Sequence, residues 1–250
     1  RAIIAGNRVG KTRTAAAEVA IHLTGQYPKW WKGRQFTQPT DWIVAAPTNE
    51  LSRDILQMAL VGSMREGEKA PDGTGWIPAD CIVDYGWRQC GVPNVMDTIR
   101  VKHTSGGTSL CTFKSYEQGP VKFQGVARDG VWLDYEIYTE SLTRTLDRNG
   151  LVIFSRTPLF GLSDVIKHFT DGGSGIYYKN VTWDDAPHLD DDAKKQLLSS
   201  YPEHERDTRA KGVPMMGSGG VYAVPDEMIM CDSFPIPDHF RRICGIDFGI

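Results

Sequence analysis

Near its start the chain has a glycine-rich stretch that ends in a lysine and a threonine, Ala5-Gly6-Asn7-Arg8-Val9-Gly10-Lys11-Thr12. In such a stretch, consecutive backbone N–H groups can point at phosphate oxygens, the lysine reaches the β- and γ-phosphates, and the threonine hydroxyl binds Mg²⁺. Ala5 stands where the usual pattern has its first glycine, which is tolerable if the φ of Ala5 stays negative. The stretch predicts a site for the triphosphate of ATP.

The residues on both sides favour this function over a chance Gly-Lys-Thr tripeptide. An apolar strand is predicted at residues 1–5 and an alanine-rich helix at residues 12–23, so the dipole of the helix N-terminus adds to the phosphate site. Arg8, inside the loop, could contact the γ-phosphate or its transition state, or it could be an exposed arginine that only adds charge. With Arg13, the predicted nucleotide-binding stretch covers residues 5–13.

Such a phosphate site also needs an acidic group at the end of a neighbouring buried strand. An apolar run that ends in a carboxylate is found at Gly130-Val131-Trp132-Leu133-Asp134. A P-loop enzyme uses that carboxylate to hold Mg²⁺ through water, and normally uses a glutamate beside it to orient the attacking water. Here Tyr135 follows Asp134, and Glu136 lies one position late. Because side chains alternate along a strand, Glu136 could in principle share the face of Asp134 as a displaced base.

Composition and charge exclude some functions. The 250 residues are 40% hydrophobic and 24% charged, with no apolar run long enough to cross a bilayer, which excludes a membrane protein. A net charge of −3 gives no global sign of nucleic-acid binding, so any DNA contact must come from a local patch. The loop Trp30-Trp31-Lys32-Gly33-Arg34 could be such a patch or a partner contact, although a packed surface flap is the favoured interpretation.

The elements that must position these residues alternate between strands and helices, as expected for a mainly parallel sheet. The other strands are predicted at residues 41–46, 98–103, 108–114, 151–155 and 176–183, the second and third as a hairpin. The other helices are predicted at residues 49–61, with Asn49 as N-cap, at 137–147, and at 190–211 with a break at Tyr201-Pro202. Residues 62–95, dense in glycine, proline and tryptophan, are predicted to be an irregular excursion.

Several further segments, together far more specific than the phosphate loop, show a family resemblance that spans nearly the whole chain. They are AGNRVGKT, EVAIHLTGQYP, VKFQG with GVWLD, IYTESLTRT, SRTPLFGLSDV, SYPEHERDTRAKGVPMMGSG and GIDFG. With them the chain resembles the large terminase subunits of tailed double-stranded DNA bacteriophages, and is most similar to those of headful-packaging phages. These subunits are ATPase-nuclease motors that package the genome into the procapsid.

The resemblance implies an α/β fold, namely an ASCE-type P-loop ATPase with a mainly parallel central sheet, followed by the start of an RNase H-like nuclease domain. It implies three parts: an ATPase core at residues 1–184, a helical or linker subdomain at 185–238, and the first strand of the nuclease domain at 239–250. The chain is then expected to be a fragment of a longer protein.

The resemblance also implies roles for individual residues. Lys11, Asp134 and Arg8 are the expected catalytic residues, and Thr12 and Asp134 the expected Mg²⁺ ligands of the ATPase. Ser155-Arg156-Thr157-Pro158 falls where terminases have the coupling motif, with Ser155 and Thr157 as its site residues, although Thr-Pro is also a common turn. Asp247 matches a nuclease metal ligand for two-metal cleavage, whose other ligands would lie outside this chain.

Two catalytic groups of the family are not evident. Similar terminases continue the acidic strand as Asp-Glu-Glu-Pro-Pro, so we predict that the natural protein has a few more residues between Asp134 and Tyr135, including the catalytic glutamate. The arginine finger from a neighbouring subunit is also uncertain, because Gln124-Gly125 stands where many terminases have Arg-Gly. The candidates for this finger are Lys122, Arg128 and Arg144.

ATP and Mg²⁺ are the implied cofactors, with Mg²⁺ or Mn²⁺ for the nuclease. The implied partners are double-stranded DNA, the portal protein, the small terminase subunit and further copies of the chain, as a pentamer on the procapsid. The implied location is the host cytoplasm and, transiently, the procapsid, but not the mature virion or a membrane. Two alternatives stay open: a helicase-like RecA-type ATPase, and a catalytically inactive capsid- or portal-associated module.

Overall fold

The computed structural model describes residues 1–63, 70–119, 123, 127–134, 145, 148–159 and 163–214. Eight strands form one sheet. They are β1 Ala2–Ala5, β2 Asp41–Ala46, β3 Ile82–Trp87, β4 Met96–Lys102, β5 Thr108–Ser115, β6 Gly130–Leu133, β7 Leu151–Arg156 and β8 Tyr178–Val181. Their order is β3-β4-β5-β2-β6-β7-β1-β8.

The sheet is mainly parallel, as the sequence predicts. All neighbours from β5 to β8 in this order pair in parallel. Only β4 runs the other way within the described sheet, because it pairs antiparallel with both β3 and β5. The predicted hairpin is thus confirmed as β4 and β5, with Thr98 opposite Thr112.

The prediction of an irregular excursion at residues 62–95 is wrong in part, because residues Ile82–Trp87 form the edge strand β3. Two register shifts interrupt its pairing with β4, between Ile82 and Asp84 and between Gly86 and Trp87. Val83 and Asp84 are both exposed, so the strand lacks the alternation of apolar and polar residues by which a half-buried strand is recognised.

In the described ranges, and apart from short 3₁₀ turns, five helices connect or follow the strands. They are α1 Lys11–Thr24; α2, formed by the consecutive helical segments Asn49–Leu51, Ser52–Gln57 and Met58–Val61; α3 Asp164–Thr170; α4 Asp191–Ser200; and α5 Arg206–Lys211. None of the helices in the described part is long and apolar enough to cross a membrane. The predicted helix at residues 137–147 lies almost wholly outside the described residues.

The predicted N-cap of α2 is wrong by one residue. Thr48 is the cap, and its hydroxyl accepts a 3.2 Å hydrogen bond from the backbone N–H of Leu51. Asn49 instead uses its side-chain oxygen to accept a hydrogen bond from Arg88, at 3.1 Å. Thr48 and Asn49 are both good capping residues. The tertiary contact with Arg88 engages the Asn49 side chain, and Thr48 serves as the cap.

Both faces of the sheet are buried, which explains why its central strands are nearly continuous apolar runs. On one face Trp42, Val44, Trp132 and Ile153 pack with α1 and α2. On the other face lie alternate residues of the same strands, which pack with Ile166 and Phe169 of α3; they include Ile43, Ala45, Val131 and Phe154. The carboxyl ends of β1, β6 and β7 therefore meet at one edge, where ligands bind in open parallel sheets.

Candidate nucleotide-binding site

The loop between β1 and α1 has the backbone shape of an anion-binding turn. Arg8 has a φ of 65° and Gly10, the N-cap of α1, a φ of 92°, whereas Asn7 and Val9 are not left-handed. Alternation of this kind aims successive N–H groups into one concavity. Ala5 is the last residue of β1 and has no positive φ. An alanine in place of the usual first glycine is therefore tolerated here.

Lys11, the first residue of α1, lies over this loop. Its Nζ donates a hydrogen bond to the backbone oxygen of Gly6. Burial lowers the pKa of Lys11 to about 8, and attraction to Asp134 partly opposes that shift. A phosphate group beside Lys11 would favour its charged form.

Asp134 directly follows β6 and is held by the next strand. The Ser155 hydroxyl on β7 donates a 3.0 Å hydrogen bond to its Oδ1, while the Trp132 indole N–H donates to Ser155 Oγ at 2.9 Å. Burial raises the pKa of Asp134 to about 6, against the opposing effects of Ser155, Lys11 and Arg156. The structure therefore brings the predicted residues Lys11, Asp134 and Ser155 together at one end of the sheet.

Thr157, in the turn after β7, contacts the phosphate loop directly. Its hydroxyl donates a 3.0 Å hydrogen bond to the side-chain oxygen of Asn7. The predicted coupling residues thus face two parts of one site, Ser155 towards Asp134 and Thr157 towards Asn7.

Three residues that sequence reasoning missed hold the backbone of the loop. Trp183 donates its indole N–H to the oxygen of Asn7 at 2.7 Å, and Arg209 accepts the Asn7 N–H at 2.6 Å through its backbone oxygen. His188 Nε2 lies 2.8 Å from the oxygen of Arg8. The contacts of Trp183 and His188 join residues that are 176 and 180 positions apart in the chain, so no local sequence pattern could show them.

The turn after α5 packs closely on the end of β1. A Cβ on Gly6 would lie 2.4 Å from the oxygen of Ala210, and a Cβ on Gly212 would lie 2.5 Å from Cα of Ala5. The Asn180 side chain donates to the backbone oxygens of Ile4 and Lys211, at 3.2 and 3.1 Å. Contacts therefore cross the predicted boundary at residue 184, and that boundary stays a prediction.

The donor types at this site suit magnesium. Thr12 and Asp134 offer hydroxyl and carboxylate oxygens, the hard ligands that Mg²⁺ prefers. In the described ranges there is no group of three or more His, Cys, Asp or Glu residues that could hold a metal. A Mg²⁺ ion here would depend on nucleotide phosphates and water for its other ligands, which is its usual mode of binding.

The described arginine-finger candidate lies elsewhere. Arg128 precedes β6 and so lies at the amino-terminal end of this strand, opposite to the end that Asp134 follows. It forms an ion pair with Asp41. This pairing favours a structural role for Arg128. The other predicted residues, Lys122, Gln124-Gly125, Tyr135, Glu136, Arg144 and Asp247, lie outside the described residues.

The loop of residues 30–34 packs as a surface flap against α1. The Trp31 ring lies 5.6 Å from His22 and 5.4 Å from the guanidinium of Arg1, whereas Trp30 is 72% exposed. The flap forms one wall of a groove of about 520 Å³ that reaches Lys11. The favoured interpretation of this loop agrees with the structure.

A strand, a phosphate-binding turn and a helix, with a carboxylate at the end of a nearby parallel strand, define the chain as a P-loop α/β protein. A family model, "Terminase large subunit, T4likevirus-type, N-terminal", matches residues 2–229. The chain therefore belongs to the terminase large subunit family, and the resemblance seen in the sequence is confirmed.

Two relatives show how much of the family protein is covered. The chain is 41% identical over 272 residues to the terminase large subunit of Salmonella phage P22, covering 100% of the chain and 54% of the relative. It is 46% identical over 118 residues to that of Enterobacteria phage LP7, covering 47% of the chain and 25% of the relative. The chain thus spans about half the length of the P22 protein.

Solved structures show the same fold. The large terminase of a thermophilic bacteriophage in complex with ADP superposes with a TM-score of 0.56 at 13% identity, over 85% of this chain and 46% of that one. The same terminase in complex with ATP-gamma-S gives a TM-score of 0.54 at 13% identity, over 82% and 45%. The predicted α/β fold with a mainly parallel sheet is confirmed.

Proposed function

We propose that this chain is the ATPase part of a motor that moves double-stranded DNA into a viral procapsid. The observation that supports this most strongly is the meeting of Lys11, Asp134 and Ser155 beside the phosphate loop. The assembled site fits ATP hydrolysis better than an inactive capsid-associated module, and membership of the terminase large subunit family favours DNA packaging over a helicase.

In the proposed reaction, the loop N–H groups and Lys11 neutralise the charge of the phosphates. Asp134 and Thr12 would hold Mg²⁺, which would neutralise negative charge on the phosphates. Ser155 keeps Asp134 in its ionised, metal-binding form, because its hydroxyl donates to the carboxylate. Arg8, which is exposed in the loop, would stabilise the transition state.

We further propose that the catalytic glutamate belongs to additional residues between Asp134 and Tyr135 in the natural protein. The location is supported by the resemblance of the acidic strand to that of terminases. The P22 relative does have residues that this chain lacks, because the alignment runs over 272 positions and this chain has 250 residues. The mass of the peptide that spans Asp134 and Tyr135 in the full-length protein tests the proposal. A mass that matches the printed sequence would refute it.

The remaining family properties are proposals for the full-length protein. They are a nuclease to which Asp247 contributes a metal ligand, a pentamer on the procapsid, contact with the portal protein and the small terminase subunit, and assembly in the host cytoplasm. Their support is membership of the family.

A packaging reaction with the full-length protein, procapsids and linear double-stranded DNA tests the proposed function. We expect DNA to become resistant to DNase in the presence of ATP, and not with a non-hydrolysable analogue. Strand separation without protected DNA would favour the helicase, and an absence of ATP turnover would favour the inactive module. Either result would overturn the proposed function.

A further inference from the structure

Asn7, in the phosphate loop, forms three long-range hydrogen bonds. Its side-chain oxygen accepts from Thr157, its backbone oxygen accepts from Trp183, and its backbone N–H donates to Arg209, at 3.0, 2.7 and 2.6 Å. The partners come from the turn after β7, from the short helical turn that follows β8 and from α5. One residue of the loop therefore contacts three separate elements.

The two backbone bonds hold the Asn7 peptide from both sides. Trp183 is 4% exposed, so its indole N–H has no ready water partner in place of Asn7. With the peptide fixed, the Asn7 side chain has a defined position relative to Thr157. Because a hydrogen bond weakens steeply as its distance and angle change, a small shift of the turn after β7 relative to the loop would weaken this side-chain contact.

The chemistry of the side chain suits this contact. An amide oxygen accepts the Thr157 hydroxyl without adding negative charge beside the phosphates, which aspartate would do, and alanine offers no acceptor. Ser155, two residues before Thr157, is bonded to Asp134. The phosphate loop and the metal-binding carboxylate thus contact the same short segment of β7 and its turn.

We propose that Asn7 is a positioning residue that transmits the state of the phosphate loop to the Thr157 turn, and so links ATP hydrolysis to DNA movement. This inference rests on the proposed function. Asn7 acts through Thr157, whose hydroxyl responds when bound phosphates shift the loop. Removal of either partner should separate hydrolysis from movement, while nucleotide binding persists.

The test compares full-length variants on procapsids and measures base pairs translocated per ATP hydrolysed, together with KM and kcat. Asn7→Ala and Thr157→Val remove the acceptor and the donor, Thr157→Ser keeps the donor, and Thr170→Val is a control in the last turn of α3. We expect Asn7→Ala and Thr157→Val each to lower the ratio at least about threefold with KM changed less than twofold. Thr157→Ser and Thr170→Val should keep the wild-type ratio.

The double variant Asn7→Ala/Thr157→Val should be no worse than the poorer single variant, since both changes remove one contact. Multiplied effects, or a wild-type ratio in Thr157→Val, would overturn the inference. Loss of nucleotide binding in Asn7→Ala would also overturn it, because the Asn7 side chain, and not only the loop backbone, would then bind the nucleotide. If wild-type protein moves no DNA, the proposed function itself fails; if it does and the variants match it, only this inference fails.

Discussion

The Ser155 hydroxyl donates a 3.0 Å hydrogen bond to Oδ1 of Asp134, across the parallel strands β7 and β6. The Ser155 hydroxyl oxygen in turn accepts a hydrogen bond from the Trp132 indole N–H at 2.9 Å. One buried serine therefore orders a carboxylate and satisfies a buried donor. These two hydrogen bonds explain why a polar residue is buried near the end of this largely apolar strand.

Ser155→Ala should shift the acidic limb of the pH–rate profile for ATP hydrolysis to higher pH. The hydroxyl lowers the pKa of Asp134, so its loss raises that pKa above about 6 and protonates the carboxylate at higher pH. The Trp132 N–H also loses its partner, which should cost about 1–3 kcal/mol of unfolding free energy. Ser199→Ala, on the exposed side of α4, is the control. An unmoved acidic limb in Ser155→Ala would contradict the role of Ser155.

Asp134→Asn should stabilise the protein in the absence of nucleotide and Mg²⁺. Burial raises the pKa of Asp134 from 3.8 to about 6. Below pH 3.8 the carboxyl is protonated in the folded and unfolded states. Above about pH 6 it is ionised in both, so the folded protein then bears the full free-energy cost of the buried charge. The gain should reach up to about 3 kcal/mol near neutral pH and shrink as the pH falls towards 3.8.

Urea denaturation of wild-type protein and Asp134→Asn at two pH values measures this gain. Loss of ATP hydrolysis in the same variant would show that the destabilising charge serves the reaction. A variant less stable than wild type near neutral pH would contradict the effect of burial on Asp134.

Gly212→Ala should destabilise the contact between α5 and the phosphate loop. Gly212 has a φ of 66°, and an added Cβ would lie 2.5 Å from Cα of Ala5. Gly172→Ala is a matched control, because Gly172 has a φ of 72° with no atom within 4 Å of an added Cβ. Backbone strain alone should cost the control about 1–2 kcal/mol, and Gly212→Ala should cost clearly more. Equal unfolding free energies of the two variants would contradict the close packing.

Arg8→Gly should raise stability and lower activity. A non-glycine residue at a φ of 65° costs roughly 1–2 kcal/mol, part of which returns because glycine is more flexible when unfolded. If Arg8 stabilises the transition state, kcat should fall about tenfold or more while the melting temperature rises. Asn149→Gly, at a φ of 47° outside the site, should raise stability without affecting kcat. Unchanged kcat in Arg8→Gly would leave Arg8 a surface charge only.

The sequence predicted the parts of the fold and site that depend on local pattern. Strand β2 was predicted with its exact limits because it is an apolar run between loops, and the phosphate loop because its glycines and lysine are consecutive. Helix α3 was missed because it is short, although Ser163 with Ile166 and Phe169 at helical spacing could have indicated it. Contacts such as Trp183 with Asn7 depend on how distant elements pack, which no local pattern encodes.

We propose above all that the site formed by the loop of residues 5–13 binds and hydrolyses ATP. The most direct measurement is steady-state ATP hydrolysis by the full-length protein as wild type, Lys11→Met and Lys195→Met, with circular dichroism to confirm folding. Lys195 lies exposed on α4, so its variant controls for loss of a lysine charge. We expect Lys11→Met to fold and to lose at least about 100-fold in kcat/KM, while Lys195→Met should match wild type. A folded Lys11→Met protein with wild-type turnover would contradict the proposal.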